Sequence, residues 1–148
     1  MRGQLLGFLL VTVLVCSENC SGQDYGRRDT DFTVTLTGRT EFPPGIDAFI
    51  RTTEQYPCTG YRIRAGVSWE SDTLTIAIGG FVRPSPCVPL SAEATGSLYL
   101  GDIGSGSYIL RIRYRSDTEL HRLLINEKDV RVESGPNSFT RLFFGEGP

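Results

Sequence analysis

The feature that most constrains the fold is a segment of strict two-residue alternation near the middle of the chain. From residue 108 to residue 115, large apolar residues take every second position, and arginines take most of the others. One face carries Tyr108, Leu110, Ile112 and Tyr114, and the other carries Ile109, Arg111, Arg113 and Arg115. A period of two is typical of a β-strand with one packed face and one face in water. The segment therefore predicts an antiparallel sheet with one solvated side.

Other segments of the chain repeat this alternation and are separated by turn residues. Clear strands are predicted at 32–38, 61–70 and 73–78, shorter or less regular ones at 46–53, 119–125, 129–133 and 138–144, and a short one starts at Ser97. Ser71 and Asp72 form the predicted turn of a hairpin between 61–70 and 73–78. We therefore expect an all-β chain, an antiparallel β-sandwich of roughly seven to nine strands.

The central segment also resembles a known kind of module. The resemblance rests on Leu98, Leu100, Ile103, Gly106, Tyr108, Leu110 and Ile112. These residues resemble the leucine, glycine-x-tyrosine and alternating-strand signature of Ig-like and carboxypeptidase-regulatory-like (transthyretin-like) β-sandwich modules, here in a bacterial exported protein. The resemblance covers under a fifth of the chain and implies an Ig-like fold, not a function.

The start of the chain predicts export. Arg2 precedes an apolar run at 5–15, which is typical of a signal peptide and too short to span a bilayer comfortably. A lipoprotein-type signal would end before Cys16 or Cys20, which would then carry the lipid; plain secretion is the alternative. The expected protein is periplasmic or extracellular, or an outer-membrane-anchored lipoprotein whose only membrane contact is its N-terminal lipid.

These patterns divide the chain into segments. We expect a signal peptide at 1–17, a flexible tether at 18–31, the β-sandwich domain at 32–144 and a loose C-terminus at 145–148. Within the domain, Trp69 is expected to be a buried core anchor. Its expected companions are the inward residues Tyr61, Ile63, Val67, Leu74, Ile76, Leu110 and Ile112.

Cys58 and Cys87 predict a structural disulfide. Both flank predicted strands, both lie beside proline-containing loops, and export would place them in an oxidising compartment. In the chain-entropy model, closing a loop of this length contributes roughly 3–4 kcal/mol.

The composition argues against several functional classes. A formal net charge of -2 gives no reason to expect nucleic-acid binding. His121 is the only histidine, no serine lies in a glycine elbow, and the cysteines lack the close spacing of a zinc site. We therefore expect a non-enzymatic protein with no metal and no cofactor.

Two features are candidates for binding. The first is an arginine face, formed by Arg62, Arg64, Arg111, Arg113 and Arg115. If their strands are neighbours, the guanidinium groups would form a ladder that can bind carboxylates or phosphates; otherwise the face is simply solvated. The second is the stiff loop that begins at Pro84 and ends at Pro89, which would lose little conformational entropy on docking.

The sequence thus favours an exported, non-enzymatic β-sandwich domain with a binding or accessory role at the bacterial cell envelope. Its partner would be an unknown protein or an anionic ligand. The alternative function is a secreted protease inhibitor that uses the Pro84–Pro89 loop.

Overall fold

The computed structural model describes residues 31–39, 45–126, 130–135 and 139–145, and the strands within them form one sheet. The strands are β1 (Phe32–Arg39), β2 (Gly45–Tyr56), β3 (Arg62–Glu70), β4 (Thr73–Val82), β5 (Ala92–Gly101), β6 (Gly106–Tyr114), β7 (Asp117–Ile125), β8 (Val130–Ser134) and β9 (Thr140–Phe144). Their order across the sheet is β8-β7-β6-β4-β3-β5-β2-β1-β9.

The sheet is mixed and nearly barrel-shaped. β1 and β9, β3 and β5, and β4 and β6 pair in parallel, whereas the other neighbours are antiparallel. The two outermost strands of the order, β8 and β9, also contact each other. The all-β prediction is confirmed, but the described strands do not clearly form the expected antiparallel sandwich. The parallel pairs join strands that are not consecutive in the chain, and a local alternation pattern carries no information about such pairs.

The predicted signal peptide and the predicted lipidation of Cys16 or Cys20 concern residues 1–30, which lie outside the described residues, as does most of the expected tether. In the described part of the chain, no helix is long and apolar enough to cross a membrane.

One end of the sheet is filled by aromatic side chains. The cluster consists of Phe32, Tyr56, Tyr61, Phe81, Tyr114 and Phe139. The ring centroids of Phe32 and Tyr114 are 4.9 Å apart, and those of Tyr56 and Tyr61 are 4.8 Å apart. Edge-to-face and tilted contacts at these distances are the favourable geometries for aromatic pairs. This end of the sheet is therefore densely packed.

The predicted core is confirmed for six residues and wrong for two. Tyr61, Ile63, Leu74, Ile76, Leu110 and Ile112 are buried, but Trp69 is 40% exposed and Val67 is 38% exposed. The face of the sheet on which Trp69 and Val67 lie was correctly predicted. Trp69 lies opposite Leu74, and Val67 lies opposite Ile76, across the β3–β4 ladder. The two side chains stay exposed because no strand pairs with β3 beside them; β5 pairs with β3 only where Arg62 meets Thr95.

The exposure of Trp69 leads to a stability prediction. Folding buries less apolar area at Trp69 than at a core position. We therefore expect Trp69→Ala to lower the free energy of unfolding by about 1–2 kcal/mol. Leu110→Ala, at a fully buried site, should cost about 2–5 kcal/mol. Urea unfolding followed by circular dichroism measures both, because Trp69 is the single tryptophan. Acrylamide should quench native Trp69 fluorescence. A quencher-protected tryptophan, or equal costs for the two substitutions, would contradict the exposure.

Candidate functional site

The candidate site lies along the side of β3 that faces β5. We call it the β3 edge and define it by Ala65, Val67 and Trp69. Strand β3 pairs with β4 along its whole length but meets β5 at a single bridge. There the Thr95 N–H donates to the Tyr61 carbonyl at 3.1 Å. Backbone groups of a strand alternate between its two sides, so the β3 edge residues also turn their N–H and C=O groups toward β5. Among the described residues, none pairs with these groups in a ladder.

A glycine explains why β3 and β5 meet closely at one point. A Cβ placed on Gly96 would lie 3.0 Å from both the Cβ and the carbonyl oxygen of Ile63. Only glycine therefore leaves enough room for β5 to pass Ile63 without displacing β3. Beyond this point the ladder ends, and the β3 edge begins.

Trp69 is held in position at the far end of the β3 edge. Its indole Nε1–H donates to the Leu100 carbonyl of β5 at 3.1 Å. Its ring meets Tyr108 in a T-shaped contact, with the centroids 5.8 Å apart, and the Tyr108 hydroxyl donates to the Gly104 carbonyl at 3.0 Å. A large aromatic side chain is thus both fixed and partly exposed. Such residues are common at the centres of binding surfaces.

The five arginines named above do not form one ladder. Strand β4 lies between β3, which carries Arg62 and Arg64, and β6, which carries Arg111 and Arg113. Arg115 lies outside the strand, in the β6–β7 turn with a φ of 57°, and its guanidinium carbon is 5.3 Å from the centroid of the Tyr114 ring. The geometry that would let all five bind one anion is absent from these strands.

The arginines also differ in their partners. Arg111 is engaged by Glu70, with 3.6 Å between Nη1 and Oε2. Arg62, Arg64 and Arg113 are exposed and make no ion pair with another described residue. Two of these three unpaired cations, Arg62 and Arg64, belong to the strand that carries the β3 edge.

The proline-rich loop is pinned at Cys87. The sulfurs of Cys58 and Cys87 are bonded, and the two Cα atoms are 5.4 Å apart. The side chains of Val88 and Leu90 are 53% and 64% exposed. The Val88 carbonyl, however, already accepts the N–H groups of Thr59 and Leu90, at 3.2 and 2.7 Å. A loop that enters a protease cleft as an extended strand uses its backbone groups to pair with the protease. The two hydrogen bonds that the Val88 carbonyl already accepts therefore weaken the inhibitor interpretation.

His121 belongs to a buried polar cluster between β7 and β9. Its Nε2 lies 3.2 Å from Glu119 Oε2 and 3.4 Å from Thr140 Oγ1. Thr140 Oγ1 donates to Glu119 at 2.5 Å, and the Phe139 N–H donates to the same carboxylate. In a catalytic triad the acid and the nucleophile contact opposite ring nitrogens, whereas here both contact Nε2. The His121 side chain is also fully buried, so the cluster links strands and offers no access to a substrate.

The alternation patterns predict neither the exposure of Trp69 nor this polar cluster. Glu119 and Thr140 lie 21 positions apart, and no motif connects them. The exposure of Trp69 depends on where β5 leaves β3, and the alternation of β3 carries no information about that point.

In the described ranges, no three His, Cys, Asp or Glu side chains are grouped so that they could hold a metal ion. No family model matches this chain, and no curated protein or solved structure matches it either.

Proposed function

We propose that this chain is an exported, non-enzymatic binding module that contacts its partner through the β3 edge. The observation that carries the proposal is Trp69, which two contacts hold in place while 40% of it remains exposed. A pre-positioned aromatic ring loses little conformational entropy on binding and offers a large contact area. Val67 extends the apolar surface along the same strand.

Export to a bacterial cell envelope is part of the same proposal. The Cys58–Cys87 disulfide supports it, because such bonds persist mainly in oxidising compartments. The kinship with Ig-like and transthyretin-like modules, suggested by the glycine-x-tyrosine segment, also belongs to this proposal.

Protease inhibition through the 84–89 loop is the second candidate function. It is favoured by the exposed side chains of Val88 and Leu90 on a segment tied down by a disulfide. Because the Val88 carbonyl already accepts two hydrogen bonds, we rank protease inhibition below binding through the β3 edge.

Site-specific photocross-linking in the source cells would separate the two functions. A photoreactive phenylalanine analogue would replace Trp69, Val88 or Leu120 in separate variants. Leu120 is the matched control, because it is 57% exposed and lies on β7 away from both candidate sites. We expect an adduct of defined mass from position 69 and none from position 120.

An adduct from position 88 alone would favour the inhibitor. Equal adducts at all three positions would indicate random encounters and would contradict the proposal, as would the absence of any adduct at position 69. Circular dichroism of each variant verifies that the fold is retained.

A further inference from the structure

We infer that the disulfide-pinned loop at 84–90 is a second interaction surface, one that enters the surface of an anionic phospholipid bilayer. We call it the tip and define it by its exposed apolar residues Pro86, Val88, Pro89 and Leu90. The inference concerns a different surface from the β3 edge and does not depend on binding there. It combines the apolar character of the tip, the cations beside it and the place where the chain enters the sheet.

The tip is an uncharged segment with large apolar side chains in water. From residue 84 to residue 92 the chain has no charged side chain. Leu90, at 64%, is the most exposed of the large apolar side chains in the described ranges, and Val88 is 53% exposed. Exposed apolar patches mark contact sites for proteins or membranes. The bond between Cys87 and Cys58 ties this segment to the turn before β3, so the tip loses little conformational entropy when it is bound.

The backbone of the tip favours a bilayer over a protein partner. Pro84, Pro86 and Pro89 have no N–H group, and the Leu90 N–H already donates to the Val88 carbonyl at 2.7 Å. A partner that pairs as a strand needs free backbone groups, of which the tip offers few donors. In an apolar medium each backbone group without a hydrogen bond is costly. A segment with few free donors therefore suits the boundary of a bilayer better than it suits strand pairing.

Cations beside the tip complement anionic headgroups. Arg62 lies opposite the last residue of β4, and Arg83 directly follows that residue. Both arginines are exposed, and neither makes an ion pair with another described residue. Of the acidic residues near this end, Glu93 is paired with Arg51 at 3.7 Å, and Glu54 is half-buried. The unopposed charge beside the tip is therefore positive, and each arginine near an anionic membrane surface strengthens binding.

The described chain enters the sheet on the side of the tip. Phe32, the first residue of β1, pairs with Thr52, near the end of β2 that leads to Cys58. The predicted lipid on Cys16 or Cys20 would therefore attach the sheet through the end that carries the tip. Two weak membrane contacts together give the stable attachment that one lipid chain does not. The tip would add such a second contact.

Fluorescence of a tryptophan placed in the tip tests its entry into a bilayer. The reporter is Leu90→Trp in a Trp69→Phe background, which removes the only other tryptophan. The vesicles are made of phosphatidylglycerol with bromine on the acyl chains, which quenches an indole only at close range. Quenching thus reports contact with the bilayer interior and not binding of a headgroup phosphate alone. Because the readout is local to the tip, attachment of the chain by its N-terminus does not by itself produce the signal.

We expect quenching and a blue shift of the emission for Leu90→Trp. The matched control is Leu120→Trp in the same background, because Leu120 is 57% exposed and lies on β7 away from the tip; it should show neither. Val88→Trp is a second reporter if circular dichroism shows that the first has lost its fold. Absence of quenching in the reporters, or equal quenching in the control, would overturn the inference.

Removal of charge tests the cations beside the tip. Arg62→Gln with Arg83→Gln should shift the equilibrium between inserted and free tips about tenfold or more toward the free state. The matched control, Arg122→Gln with Arg131→Gln, makes the same change in net charge at two exposed arginines of β7 and β8 and should have little effect. Equal effects of the two pairs, or equal quenching by zwitterionic vesicles, would overturn the assignment of an anionic bilayer.

The outcomes also separate a bilayer from a protein partner of the tip. A protein adduct of defined mass at position 88 in cells, without quenching by vesicles, would show that the loop binds a protein and would overturn the inference. An adduct at position 69 concerns the β3 edge alone. The proposed function therefore stands or falls independently of the result with vesicles.

Discussion

Replacing Glu119 with alanine is expected to lower the free energy of unfolding by about 2–4 kcal/mol, because each buried donor that is left without an acceptor costs about 1–3 kcal/mol. The Glu119 side chain is 8% exposed and accepts hydrogen bonds from the Phe139 N–H and the Thr140 hydroxyl. Without it, these two donors would stay largely buried and would lose their acceptor. β9 has a backbone ladder only with β1 among the described strands, and Thr140 links it to β7 through Glu119 and His121.

Urea unfolding followed by Trp69 fluorescence measures this effect. The control is Glu133→Ala on β8, whose carboxylate is 61% exposed and pairs with Arg122 at 3.9 Å; such surface pairs contribute about 0–1 kcal/mol. Amide hydrogen exchange should show that β9 loses protection first in the Glu119 variant. Equal costs for the two substitutions would mean that the polar cluster does not hold β9 in place.

Cys58→Ala is expected to destabilise the protein by about 3.5 kcal/mol. Cys58 and Cys87 are separated by 29 positions, and the chain-entropy relation assigns roughly that value to a closed loop of this length. Cys58 is also 1% exposed, so the substitution removes packed atoms as well. Urea unfolding under oxidising conditions measures the change.

A reductant provides the control for the disulfide. It should destabilise the unaltered protein by a similar amount and leave the stability of the Cys58→Ala variant unchanged. Peptide mapping without reduction should recover Cys58 linked to Cys87. Recovery of Cys20 linked to either residue would contradict the pairing, and so would a reductant that lowers the stability of the variant.

Several parts of the fold follow from local pattern alone. The turn of the β3–β4 hairpin lies where Ser71 and Asp72 predict it, and Ser71 adopts the positive φ of 56° that a tight reversal requires. Leu110 and Ile112 are completely buried, as their alternation predicts. The turn is determined within a few residues of the chain, and the alternation determines which side chains share a face of the strand, so the sequence pattern contains both.

The candidate site depends on relations that no local pattern contains. Arg64 and Arg113 have the same alternation whether their strands are neighbours or, as here, separated by β4. Glu119 meets Thr140 only because β9 joins β1 in parallel and comes to lie beside β7 and β8. Local alternation therefore shows on which side of its strand each of these residues lies, but not which of them are grouped in the folded chain.

Trp69 illustrates which features are determined by the local sequence and which are determined by tertiary packing. The period of two determined by itself that the chain forms strands and that Trp69 lies on the same side as Leu74, because side chains alternate across any strand whatever its neighbours. Whether that side is covered was decided only by the tertiary structure, in which β5 pairs with β3 at one bridge and then leaves it. Burial depends on which distant segment lies alongside a strand, and that is settled by the packing of the whole sheet.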